Sequence, residues 1–118
     1  MKHWSIAIAC LLICFYARSQ NTSKGNLFII GGGNRTPQLV SKLIETAKLN
    51  SKDHIAILPM SGAEPDTSFF YIKDDLEKAC SNTIANLNFT PDKANNGVWL
   101  DSLKHAKLIF ITGGDQSR

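Results

Sequence analysis

From about residue 25 onward the chain switches repeatedly between two hydrophobic periods. Leu27-Phe28-Ile29-Ile30 is an unbroken apolar run that ends on Gly31-Gly32-Gly33, as expected of a buried strand. Thr36 then offers an N-cap oxygen, and Pro37 has the fixed φ suited to a first helical position. Leu39, Val40, Leu43, Ile44 and Ala47 recur at helical spacing, and Asn50 is the expected stop. One strand followed by one helix is the unit.

The unit recurs. His54 to Leu58 reads as a second strand, closed by Pro59 and a loop through Ser61-Gly62. Asp66 is the expected cap of a helix with Phe69, Ile72, Leu76 and Ala79 along one face. Asp74, Asp75, Glu77 and Lys78 lie mostly on the other face, which reads as a solvated helix surface rather than a metal site. Thr83 to Phe89 is predicted as a third strand. Its alternation of Ala85, Leu87 and Phe89 with Asn86 and Asn88 places it at an outer, partly exposed position. Val98 to Ala106 forms a shorter helix with Leu100, Leu103 and Ala106 facing in. Leu108 to Thr112 is the fourth strand and runs into Gly113-Gly114.

Strands alternating with helices imply an α/β fold, with right-handed crossovers and a parallel sheet covered on both faces. Strands one, two and four end in Gly31-Gly32-Gly33, Pro59 to Gly62, and Gly113-Gly114-Asp115-Gln116. In a parallel sheet these ends share the carboxyl edge, where such folds bind ligands.

The first residues read differently. Lys2 and His3 precede the apolar run Ile6–Tyr16, and Ala17-Arg18-Ser19 places small residues where a signal peptidase cuts. A membrane-spanning helix needs about 20 apolar residues, so 1–19 is expected to be a cleaved signal without stable membrane insertion. Residues 20–118 would then be secreted or periplasmic. Losing Lys2 and Arg18 takes the 13 basic residues to 11 against 10 acids, so little net charge remains. The remaining Lys and Arg form no run that would follow a phosphate backbone, which argues against nucleic acid as a partner. Cys10 and Cys14 leave with the signal. Cys80 remains as a lone thiol, expected as a small buried hydrophobe.

The glycines narrow the chemistry. Gly33 is followed by Asn34-Arg35-Thr36, so G-x-G-x-x-G is not met, and no Gly-Lys-Ser/Thr is present. A flavodoxin-type nucleotide or flavin domain is therefore disfavoured. Gly32 and Gly33 would instead form a backbone floor against which a substrate lies. Gly113 and Gly114 after an apolar strand permit unusual dihedrals and expose N–H groups. Asp115 and Gln116 would add polar groups at the same edge, although a turn capped by Asp115 explains the same residues.

The order Gly31-Gly32-Gly33, Pro59-Met60-Ser61, then Ile109-Phe110-Ile111-Thr112-Gly113-Gly114-Asp115-Gln116 resembles the N-terminal half of cyanophycinase and its relatives. These are serine peptidases, and their family includes the aspartyl dipeptidases. Threonine-Gly-Gly-Asp-Gln after a hydrophobic strand is the most specific part. Pro59-Met60-Ser61-Gly62 departs mildly from the usual Pro-x-Ala-Ser. The resemblance spans roughly Gly25 to Arg118. It implies a flavodoxin-like fold of the class I glutamine amidotransferase type, here incomplete.

It also implies a nucleophilic serine on a sharp strand-to-helix turn, with a His and an acidic partner further on. Gly113 and Gly114 would then supply oxyanion-hole backbone, and Gln116 a substrate contact. Asp115, Ser61, Gly32 and Gly33 would lie nearby on the substrate side. No G-x-S-x-G occurs in this sequence, so the nucleophile is expected beyond Arg118 and the 118-residue chain is expected to be inactive. His54 and His105 read as surface or cap residues. The expected activity of the parent is hydrolysis of aspartyl or isoaspartyl bonds such as β-Asp-Arg, on peptide substrates with acidic residues. No metal or cofactor is expected, and assembly into a homo-oligomer is left open. The alternative is a non-catalytic extracytoplasmic binding module of the same fold.

Overall fold

The structure, a computed structural model, describes residues 25–114. The expected signal segment, Asp115 and Gln116 lie outside the described residues. The element order is α1 (Pro37–Ala47), β1 (His54–Leu58), α2 (Pro65–Glu77), β2 (Thr83–Asn86), α3 (Gly97–His105) and β3 (Leu108–Ile111). The three strands form a parallel sheet in the order β2-β1-β3. Ile55 is in register with Ile84 on one side and Leu108 on the other, and Ile57 with Asn86 and Phe110. The fold is therefore α/β.

Alternation along β1 divides the core in two, because successive side chains point to opposite faces. Ile55 and Ile57 pack with Val40 and Leu43 of α1 and Ile72 and Leu76 of α2. Ala56 and Leu58 face the other way, onto Leu87 and the half-buried Trp99 and Leu103 of α3. Helices thus cover both faces, two on one side and one on the other. α3 is fastened further by an edge-to-face contact of Phe89 with Trp99, ring centroids 5.5 Å apart.

The largest difference from the sequence expectation is the first strand. Leu27–Ile30 carries no ladder pairing among the described residues. Phe28 and Ile30 pack onto the α1 and α2 side of the core, while Leu27 and Ile29 are 87% and 83% exposed. The run keeps the alternation of a strand, but a strand also needs a neighbour to take its N–H and C=O groups. β3 pairs only with β1, and the groove described below lies between it and this run.

The other differences are local. α1 starts as expected, with Thr36 Oγ1 accepting from the Leu39 N–H at 3.3 Å. It stops at Lys48, not Asn50, and Lys48 is left-handed at φ 51°. α2 is not capped by Asp66, which lies in its first turn. Glu64 occupies the cap position because Pro65 takes the first helical position, and its carboxylate accepts from the Thr67 hydroxyl rather than from a helix N–H. α3 is capped by Asn96, whose Oδ1 accepts from the Trp99 N–H at 3.1 Å. Val98 is exposed, and Trp99 takes an inward position. The third strand stops at Asn86, although the Leu87 N–H still donates to the Ile57 carbonyl at 2.9 Å. It sits at a sheet edge, as its polar alternation predicts. Cys80 is half-buried against the core.

A left-handed conformation costs an L-residue about 1–2 kcal/mol that glycine largely avoids. Lys48→Gly is expected to stabilise the domain by about 1 kcal/mol, read as a raised midpoint in denaturant unfolding. An unchanged or lowered midpoint would contradict a left-handed cap at Lys48.

Candidate active site

Parallel β1 and β3 place the segments that follow them on one edge. Pro59–Gly62 follows β1, and Thr112–Gly114 follows β3. Ladder-like bonding continues past β3, where the Thr112 N–H donates to the Leu58 carbonyl at 3.1 Å. Ser61 joins the two segments: its hydroxyl donates to the Thr112 carbonyl at 2.5 Å and lies 3.1 Å from the Thr112 hydroxyl. Thr112 is buried, so these contacts satisfy polar groups that water does not reach.

The approach is close enough to require glycine. A Cβ on Gly114 would lie 2.2 Å from the Ser61 carbonyl oxygen and 2.9 Å from its carbon. Gly113 differs, with nothing within 4 Å of a Cβ built there. The N–H groups of Gly113 and Gly114 have no acceptor among the described residues. Gly62 closes the junction, since its Cβ would come 3.0 Å from the Ser68 Oγ at the start of α2.

Beside this junction runs a groove of about 1130 Å³. One wall is the free edge of β3, continuing through Thr112 and Gly113, and the other is Leu27 to Arg35. Ser68, Tyr71 and Ile72 of α2 contribute to its lining. Gly32 and Gly33 line it, and Gly33 has a φ of 108° that disfavours any side chain. The structure therefore brings Gly32, Gly33 and Gly113 to one groove. Ser61 and Gly114 stand at the adjoining junction and are not part of the lining. The Ser61 hydroxyl is engaged in holding the two loops together.

Sequence patterns alone did not single out Arg35. Its Nε donates to Asp75 Oδ2 at 2.8 Å, and the two side chains are 25% and 27% exposed. Asp75 is thus drawn off the solvated face of α2, unlike Asp74 and Glu77, which pair with Lys78 and Lys73 along the helix. His54 and His105 lie elsewhere. His54, at the amino end of β1, donates from Nε2 to the Ser102 carbonyl at 2.9 Å. His105 is exposed, with Nδ1 bonded to the Asp101 carbonyl. Among the described residues no cluster of three or more metal-ligating side chains comes together, and no helix is long and apolar enough to cross a membrane. No family model matches the chain, and no curated protein or solved structure does.

Gly114→Ala is expected to cost about 1–3 kcal/mol, because the clash is with backbone that must shift. Gly113→Ala should stay within about 1 kcal/mol of the parent. Equal unfolding midpoints for the two variants would mean that the Ser61 and Gly114 segments do not meet as described.

Proposed function

We propose that this chain is the N-terminal part of a secreted serine-type peptidase that hydrolyses aspartyl or isoaspartyl bonds of the β-Asp-Arg kind. Its fold would be the flavodoxin-like type of the class I glutamine amidotransferases. The observation that carries the proposal is the junction at the carboxyl edge. Ser61 ties the end of β1 to the end of β3, and Gly114 packs against the Ser61 backbone, so the Thr112–Gly114 segment is held in one conformation.

A fixed pair of N–H donors is what acyl transfer requires, because negative charge develops on the carbonyl oxygen as the nucleophile attacks. Gly113 and Gly114 carry N–H donors that have no acceptor among the described residues. In the proposed reaction a serine hydroxyl from beyond Arg118 gives up its proton and bonds to the substrate carbonyl carbon. The amine leaves with a proton, and water then cleaves the ester to regenerate the serine. Ser61 is not that nucleophile, since its hydroxyl is committed to Thr112. Its role here is to position the glycine turn, and the role of this chain is to shape one wall of the site.

The test compares two proteins. A parent protein extended beyond Arg118 is expected to release arginine from β-Asp-Arg and to lose that activity after treatment with a serine-directed phosphonate. The 118-residue chain by itself should release none. Binding of the dipeptide by the parent without turnover would replace the peptidase with a binding module of the same fold.

A further inference from the structure

The charge of the groove is one-sided. Among the described residues its lining contains Arg35 near the glycine loops and Lys107 at the amino end of β3, and no Asp or Glu. Asp75 touches Arg35 but does not itself line the groove. Among the described residues the groove thus presents cationic and no anionic side chains, with Asp75 behind Arg35 as its paired carboxylate.

Arg35 is held in a particular way. A guanidinium has five N–H donors in a planar fork, and a carboxylate partner commonly takes two of them. Here Asp75 takes one, through Nε, and among the described residues the Nη donors have no acceptor. Three quarters of the Arg35 side chain is buried, so it is not a freely moving surface arginine. One bond through Nε fixes the plane of the fork, while four donors remain unspent. A guanidinium fixed this way loses little further freedom on meeting a second anion.

We infer that Arg35 is a specificity residue that receives a carboxylate of the substrate in the groove between Leu27–Arg35 and β3, with Asp75 as its positioning residue. The inference rests on the peptidase proposal for the identity of the ligand, a carboxylate-bearing aspartyl peptide, but not for the binding itself. Gly31 to Gly33 line the groove with Arg35, and a Cβ built on any of them would meet nothing within 4 Å, which leaves room for a ligand beside that backbone.

The probe is N-acetylaspartate, titrated into the 118-residue chain and followed by the backbone amide resonances, with N-acetylasparagine amide, which carries no carboxylate, as the neutral match. N-acetylaspartate is expected to move the resonances of Gly31 to Arg35 and Gly113. N-acetylasparagine amide should bind at least about tenfold more weakly, and so should N-acetylaspartate to the Arg35→Gln variant. Arg35→Lys should recover part of the affinity, because it restores the charge but not the fork. Asp75→Asn should weaken binding less than Arg35→Gln does, and Arg35→Gln should keep a dispersed, folded amide spectrum.

Three results would overturn the inference: equal binding of the two probes, no binding by the unaltered chain, or binding undiminished in Arg35→Gln. The outcome is separable from that of the peptidase proposal. A parent that cleaves β-Asp-Arg with KM and kcat unchanged by Arg35→Gln would retain the peptidase and remove the carboxylate site. Carboxylate binding that depends on Arg35, in a parent that hydrolyses nothing, would do the reverse.

Discussion

Because β1 is paired along both edges and covered on both faces, every other element is positioned by reference to it. Ile55, Ala56 and Ile57 have no exposed surface. Full burial of an aliphatic side chain is worth roughly 1.5–3 kcal/mol, and the two isoleucines claim it on one face of the sheet while Leu58 adds to the other. The strand's backbone groups must be bonded as its side chains are buried, so β2 and β3 are drawn to its two edges. α1 and α2 settle over Ile55 and Ile57, and α3 over Ala56 and Leu58.

The same constraint builds the candidate site. Parallel pairing brings the ends of β1 and β3 out together, and the segments beyond them must share a small space. Ser61 and Thr112 fill it with hydrogen bonds, and Gly114 fits because it has no side chain. A glycine pair that looks equivalent in sequence is thereby divided. Gly114 is held by steric contact, whereas Gly113 faces open space in the groove. Among the described residues no strand pairs with the outer edge of β3, and the groove lies there beside the junction.

Much of this organisation was legible before any coordinates. Helical spacing located Val40, Leu43, Ile72 and Leu76, and the polar alternation of Thr83–Phe89 placed that strand at an edge. The misjudged positions are those where a local signal competes with a distant one. Leu27–Ile30 has the composition of a strand, yet pairing depends on a neighbour far away in sequence. Asp66 is a good capping residue, but Pro65 beside it prefers the first helical position and shifts the start. Arg35 carried no motif at all. Its interest comes from Asp75, forty residues later, which reaches it only because α1 and α2 pack on the same face of the sheet.

By itself, the sequence determined the α/β class, most of the elements and the shared edge at which β1 and β3 end. These follow from side-chain periodicity and from the parallel direction that helical connections impose, and both are local properties of the chain. Tertiary structure alone decided that Ser61 is a tie between loops, that Gly114 and not Gly113 is sterically required, and that Arg35 and Asp75 meet. Each depends on the distance between atoms remote in sequence, which is set by how the elements pack around β1.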